Sequence, residues 1–164
     1  MFRIKDITII AFFTAILFVQ EQLLTILPNV QLTLFLIVLY SKVFGLTKTL
    51  IIVLLHTILD NLIMGSFSIY YLPFMLIGWM IIPIIICLFF KKVDNAIVLA
   101  IIGTVCSFIY SWLFAIGQVL LTNVSLIAYL VSDITFEIVL ALSSFLSILW
   151  LYKPCSKLLF KLVD

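Results

Sequence analysis

Residues 126–152, LIAYLVSDITFEIVLALSSFLSILWLY, form the longest apolar run in the chain and carry two acids, Asp133 and Glu137. As an α-helix this run would be ~40 Å long, enough to cross a bilayer with its interfaces. The acids are four residues apart and therefore share one helix face. Because a charge at the centre of a membrane helix costs ~2.5–3.5 kcal/mol, that face is predicted to point towards protein or a cavity. The helix is expected to end at Lys153-Pro154, since the residue before a proline leaves the α region.

The composition of the whole chain is that of a membrane protein. Of its 164 residues, 66% are hydrophobic and only 10% are charged, more apolar than a soluble core requires. The three cysteines show no pairing pattern and are expected to be buried or a cytoplasmic thiol rather than a disulfide framework. The N-terminus is basic and then apolar, but the run is too long for a signal peptide and is expected to be a retained first span.

Hydropathy predicts an all-α, single-domain protein with six transmembrane helices. Proline, glycine and lysine residues separate the apolar runs, and the predicted spans are residues 7–27, 30–44, 49–64, 70–90, 96–121 and 126–152. The second and third runs are short, so the count of six depends on their crossing the membrane rather than re-entering it. The connections are short throughout and leave no room for a soluble domain.

The positions of the basic residues predict the orientation. With the N-terminus in the cytoplasm, all nine Lys and Arg residues fall on the cytoplasmic side: Arg3, Lys5, Lys42, Lys48, Lys91, Lys92, Lys153, Lys157 and Lys161. Cytoplasmic loops of membrane proteins carry an excess of such residues. The pattern therefore predicts an even number of spans and cytoplasmic N- and C-termini.

The outer half of the predicted bundle collects most of the remaining polar chemistry. It holds Glu21, Asp60, Asp133, Glu137 and the single histidine, His56, without any Lys or Arg. His56 and Asp60 are four residues apart and can touch. Three further side chains are expected near the same level: Gln118, Tyr70 and Tyr71. Aromatic walls with a few polar groups are typical of small-molecule sites, so the sequence predicts an outward-facing, acid-lined pocket.

The acids of this pocket favour a neutral or cationic ligand. Two carboxylates on one face in a poor dielectric cannot both ionise comfortably, and His56 is the one candidate cation nearby. Our hypothesis is that the ligand supplies hydrogen-bond donors or positive charge. Structural alternatives stay open: Glu21 at the wet interface, His56 as a packed, hydrogen-bonded residue, and Asp60 as a local cap.

Several function classes lack their motifs. The sequence contains no GxxxxGK[ST], HExxH or GxSxG pattern and no zinc-type spacing of Cys and His, so it offers no ATP-binding P-loop, metalloprotease or hydrolase site of its own. A lone histidine makes a transition-metal site weak. Nucleic-acid binding is unsupported because the basic residues are sparse and lie near the membrane. No cofactor and no enzymatic activity are expected.

Ala11 and Ala15, in the segment Ala11-Phe12-Phe13-Thr14-Ala15, form an AxxxA pattern on the first predicted helix. With six spans and this chain length, the sequence resembles the S components, the substrate-binding membrane subunits of energy-coupling factor (ECF) vitamin transporters. The resemblance implies an ABC-type importer of the plasma membrane. Its S component binds a vitamin or precursor and docks on a membrane scaffold subunit served by two cytoplasmic ATPases.

The resemblance also implies roles for particular residues. Ala11 and Ala15 would form the docking face for the scaffold subunit. The pocket would be built from outer loops and the outer ends of later helices, here Asp133, Glu137, Gln118 and residues 65–71.

One departure from the family bears on the cargo. Cobalt- and nickel-type members carry a histidine near the N-terminus, which Met1-Phe2-Arg3 lacks, so metal cargo is set aside. The acid-rich pocket favours a vitamin B6- or pyrimidine-type compound, a thiamine-like molecule, a queuosine precursor or cobalamin. Folate, biotin and pantothenate carry carboxylates and are disfavoured.

Two other functions compete with the importer subunit. A proton-coupled exporter of organic cations would use an acid such as Glu21, but it needs an acid accessible from both sides. An intramembrane enzyme would use Asp133 and Glu137 as acid and base, but the sequence offers no nucleophile or metal set beside them.

Overall fold

The computed structural model describes residues 3–63 and 70–163. All regular structure in these ranges is helical, which confirms the all-α prediction. The six helices are α1 Ile4–Leu24, α2 Thr33–Phe44, α3 Leu46–Ile63, α4 Leu72–Phe89, α5 Ala96–Thr122 and α6 Leu126–Val163.

Five of these helices, all except α2, are long and apolar enough to cross a membrane. Length and composition thus indicate a multi-pass membrane protein. With 12 residues, α2 is ~18 Å long and falls short of a ~30 Å hydrocarbon core. Five of the six predicted spans therefore correspond to helices that could cross a membrane, and the count of six stays a prediction.

The short helix α2 is the centre of the fold. Its sequence TLFLIVLYSKVF is apolar around most of its circumference, and every residue from Thr33 to Ser41 is buried. A helix that is hydrophobic on all sides belongs in an interior, and α2 contacts each of the other five helices. Those five place large apolar side chains on the outer surface, among them Ile101, Trp150 and Leu162, as lipid contact requires.

Contacts between basic residues and their partners gather the helix ends into a "basic end" of the bundle. Lys48 Nζ at the start of α3 lies 2.6 Å from Asp6 Oδ1 at the start of α1. Lys42 Nζ near the end of α2 donates to the carbonyls of Phe90 (2.9 Å) and Lys91 (2.8 Å) just after α4. The starts of α1 and α3 and the ends of α2 and α4 therefore lie together.

Asp94, between α4 and α5, ties α6 to the same end. Its carboxylate accepts hydrogen bonds from Lys153 Nζ and the Tyr152 hydroxyl, both at 2.8 Å. The Lys153 ammonium, followed by the Tyr152 hydroxyl, holds the pKa of Asp94 below its usual range. The sequence predicted basic residues at one end, and these contacts bring them there, whereas the cytoplasmic location of that end stays a prediction.

The prediction that the last helix ends at Lys153-Pro154 is wrong, because α6 continues through Pro154 to Val163. An interior proline removes one backbone hydrogen bond and costs ~3 kcal/mol. Two features offset this cost: Ser156 and Leu159 are buried beyond the proline, and the Ser156 hydroxyl donates to the Lys153 carbonyl at 3.1 Å. Tertiary packing therefore overrides the local preference.

Gly103 allows α5 and α6 to approach closely. A Cβ atom at this position would clash with Cδ1 of Ile148, whose side chain is fully buried. We expect Gly103→Ala to lower the free energy of unfolding by up to ~2 kcal/mol, since an overpacking cost of ~1–3 kcal/mol is partly offset by the ~1 kcal/mol that alanine gains over glycine in a helix. Thermal unfolding in detergent measures this. Val105→Leu adds volume at an exposed position of the same helix and serves as the control; equal losses in both variants would contradict the prediction.

Candidate functional site

Polar side chains meet at the other end of the bundle, the "acid end". His56 Nε2 on α3 lies 3.0 Å from Glu21 Oε2 on α1, and His56 is only 1% exposed. Asp60 accepts from Gln22 Nε2 at 3.2 Å. The structure thus pairs His56 with Glu21 rather than with Asp60 as the sequence suggested. The His56–Glu21 and Asp60–Gln22 contacts each join α3 to α1.

Gln20 joins the end of α1 to the start of α2. Its Oε1 accepts from the Leu32 backbone N–H at 2.9 Å, and its Nε2 donates to the Thr33 hydroxyl at 2.8 Å. The Thr33 hydroxyl in turn donates to Gln31 Oε1 at 2.9 Å. The Gln20 side chain therefore provides a hydrogen-bond acceptor for the backbone N–H of Leu32, which is not part of a helix.

Residues 25–32 do not form a helix and lie against α6 as "loop 25–32". The Gln31 N–H donates to Ser143 Oγ at 3.1 Å, and Ser143 Oγ donates to the Gln31 carbonyl at 2.9 Å. Without water, irregular backbone at membrane depth must find its hydrogen bonds in protein or line a cavity. Ser143 meets this need across 112 residues of sequence.

A cavity of about 360 Å³ lies between the end of α1, loop 25–32, α5 and α6. It is lined by Glu21, Leu24, Thr25, Leu27, Pro28, Asn29, Val30, Gln31, Tyr110, Ser111, Phe114, Tyr129, Asp133 and Leu140. The Tyr110 ring stacks on Trp79 with ring centroids 3.8 Å apart. The volume lies at the lower end of the range for small-molecule sites.

Asp133 on α6 and Glu21 on α1 both line this cavity, and no Lys or Arg is among its described lining residues. Glu137 lies one turn beyond Asp133 on α6, before the lining residue Leu140. It is 3% exposed, and its Oε1 has no hydrogen-bond partner within the described chain. Buried polar atoms are almost always hydrogen-bonded. Glu137 Oε1 is therefore an acceptor near the cavity that a hydrogen-bond donor from a ligand could satisfy.

The other predicted site residues do not line the cavity. His56 contacts the lining residue Glu21, whereas Asp60 is bonded to Gln22, which is not part of the lining. The Tyr71 ring packs at a tilt against the lining Phe114, with ring centroids 5.9 Å apart. Gln118 is half-buried on α5, and Tyr70 is 68% exposed. Of the predicted pocket loop at 65–71, residues 65–69 lie outside the described residues.

Sequence reasoning missed the α5 wall and loop 25–32. The α5 wall has the spacing of one helix face, with Tyr110, Ser111 and Phe114 at i, i+1 and i+4. That spacing could have been read from the sequence. One turn later, Gly117 contacts Phe74 so closely that a Cβ atom would clash. Asn29, with a positive φ of 57°, marked the turn that starts the return into the bundle. Nothing local indicated that Ser143 holds the loop.

Comparisons with protein-family models, with curated proteins and with solved structures found no match. Within residues 3–63 and 70–163, no group of three or more His, Cys, Asp or Glu side chains is placed to hold a metal ion. The function is therefore argued from the cavity and its charges.

We expect Ser143→Ala to loosen loop 25–32, because it removes both hydrogen bonds to the Gln31 backbone. Leaving such groups unsatisfied costs ~1–3 kcal/mol. Hydrogen–deuterium exchange should rise in residues 25–32. Ser147→Ala is the matched control, since its hydroxyl donates only to carbonyls of its own helix. Unchanged exchange in Ser143→Ala would mean that the loop is held by other contacts.

Proposed function

We propose that this chain is the substrate-binding membrane subunit of an ECF-type ABC importer. It binds a vitamin or vitamin precursor in the cavity and passes it on through a partner scaffold subunit driven by two ATPases. The observation that carries the proposal is the separation of charge along the bundle. A cavity with acids and aromatic walls lies at the acid end, and the basic residues paired above lie at the basic end.

The charges of the site support a neutral or cationic cargo. His56 is already paired with Glu21, so Asp133 and Glu137 have no basic partner among the described residues. A ligand that brings donors or a positive charge relieves the cost of these buried acids. A vitamin B6- or pyrimidine-type compound, a thiamine-like molecule or a queuosine precursor meets this condition, whereas cobalamin is too large for a cavity of about 360 Å³.

The buried helix α2 supports the need for a partner. It begins at Thr33 beside the cavity and runs to the basic end through the fully buried residues Leu34 and Ile37. A ligand in the cavity therefore faces packed apolar side chains rather than a path. Because the sequence lacks a P-loop, the work of release falls to an energised partner.

The arrangement of the acids favours this function over an organic-cation exporter. An exporter needs an acid that exchanges protons with both sides, whereas Glu21, Asp60 and Asp133 all lie at the acid end. The described cavity wall carries several hydroxyl groups but no Lys, Arg or His beside them to serve an intramembrane enzyme.

Orientation and docking complete the proposal. The basic end lies in the cytoplasm with both termini, in the plasma membrane, following the positive-inside pattern. Ala11 and Ala15 are exposed on α1, where small side chains let another helix approach. They form the docking face for the scaffold subunit.

Mass spectrometry of the protein purified in mild detergent tests the proposal. We expect one stoichiometric, vitamin-like compound in the wild type and much less in Asp133→Asn purified in parallel. An empty wild-type protein that also fails to bind thiamine and pyridoxine would oppose it. Proton-coupled flux of organic cations in liposomes would then test the exporter.

A further inference from the structure

A second cavity lies at the basic end, remote from the acid-lined one. It has a volume of about 280 Å³ and is lined by Ser41, Lys42, Gly45, Leu46, Ile86, Cys87, Leu88 and Lys91. Helices α2 and α3 and the end of α4 form its walls. Its position and its chemistry differ from those of the proposed cargo site, and the inference below does not depend on that proposal.

Two lysines, Lys42 and Lys91, belong to the lining of this cavity. Lys42 Nζ donates hydrogen bonds to the Phe90 and Lys91 carbonyls, which are uncharged and leave the ammonium without a carboxylate partner. The two lysines thus place positive charge around one small cavity.

No carboxylate lies among the described lining residues. Asp94 is within electrostatic range of Lys42, but it is hydrogen-bonded to Lys153 and Tyr152. Lys91 makes no ion pair in the described chain. The cavity therefore carries a net positive charge that an anion is suited to neutralise.

The remaining lining residues show which anion fits. Leu46, Ile86 and Leu88 give the cavity an apolar side, and Leu88 and Phe89 are 64% and 75% exposed on the outer face of α4. Lys91 comes shortly after the most hydropathic of the candidate spans, so an α4 that crosses the membrane would bring Lys91 close to the phospholipid phosphates. A free anion would contact only the lysines, whereas a phospholipid would also contact the apolar side with its acyl chains.

We infer that this cavity binds one anionic phospholipid, with its phosphate between Lys42 and Lys91 and its acyl chains along α4. Basic pockets between membrane helices recognise lipid head groups in this way. The site would bind an anionic lipid selectively where α2 ends and α3 begins. A lipid bound there contacts three helices at once and stabilises the basic end.

Native mass spectrometry tests the inference on protein released from nanodiscs of mixed phosphatidylglycerol and phosphatidylcholine. We expect one phosphatidylglycerol to be retained, with its affinity lowered roughly fivefold by Lys91→Gln. Lys92→Gln is the matched control: it removes the same charge from the adjacent exposed residue, which does not line the cavity. Lys91→Arg should retain the lipid.

Three results would overturn the inference. Equal losses in Lys91→Gln and Lys92→Gln would show diffuse attraction to the surface. Equal retention of phosphatidylcholine would show that charge does not select the lipid. Displacement of phosphatidylglycerol by millimolar inorganic phosphate would show a free-anion site. Equal unfolding temperatures of the two glutamine variants establish that the comparison concerns binding rather than folding.

Discussion

Replacing Asp133 by asparagine is expected to weaken cargo binding by roughly 10- to 100-fold and to leave the bundle folded. The substitution keeps the size of the side chain and removes its charge. A hydrogen bond to a charged group contributes ~1.5–3 kcal/mol, which corresponds to this loss of affinity. Asp133 lines the cavity and is only partly exposed, so water does not replace the lost interaction in full.

The measurement is equilibrium binding in detergent, with the copurified compound or with thiamine and pyridoxine as probes. Asp94→Asn is the matched control. It makes the same chemical change at the basic end, where Asp94 is paired with Lys153, and it should bind cargo as the wild type does. Equal affinity in wild type and Asp133→Asn would remove this acid from the site.

Glu137→Gln separates a binding role from a structural one at the buried acid. The Oε1 atom of Glu137 has no partner within the described chain. Glutamine keeps an acceptor oxygen but removes the charge, so a hydrogen bond from a ligand donor should weaken and affinity should fall. A purely structural Glu137 would instead change the unfolding temperature without changing affinity. Unchanged affinity in both acid variants would place the cargo site elsewhere.

Much of the architecture could be predicted because it depends on one-dimensional patterns. Hydropathy located the five long helices, and lysine positions anticipated a basic end that Lys42, Lys48 and Lys153 help to assemble. The depth of α2 could not be predicted. A short apolar run is compatible with a helix at the edge of a bundle or with one at its centre, and only the contacts with all five neighbours show that α2 is central.

Part of the candidate site, its acids, could be predicted from the sequence, whereas its aromatic wall was missed. Asp133 and Glu21 were conspicuous because acids are rare and costly in apolar helices. Tyr110 and Phe114 were not, since aromatic residues are common in membrane helices and carry no such penalty. The bond between Gln31 and Ser143 joins residues 112 positions apart, and no local pattern encodes such a pair.

Replacing Ala15 by leucine, or Ala11 by leucine, is expected to abolish uptake while leaving cargo binding intact. Both alanines are exposed on α1, so a larger side chain there meets no atom of the bundle and should not disturb the cavity. A partner helix that packs against this face needs small residues to approach closely. Added volume at a tight helix interface costs ~1–3 kcal/mol, so either substitution should lower the affinity for the scaffold subunit by roughly 5- to 150-fold.

Uptake by cells or proteoliposomes containing the scaffold subunit and both ATPases, measured beside binding by the isolated chain, separates the two steps. Ala128→Leu is the matched control, because it makes the same change at an exposed alanine of α6 and should transport normally. Copurification with the scaffold subunit should fall in Ala11→Leu and Ala15→Leu alone. Normal transport by both variants would place the docking face elsewhere on the bundle, whereas loss of binding and transport together would mean that α1 shapes the cavity.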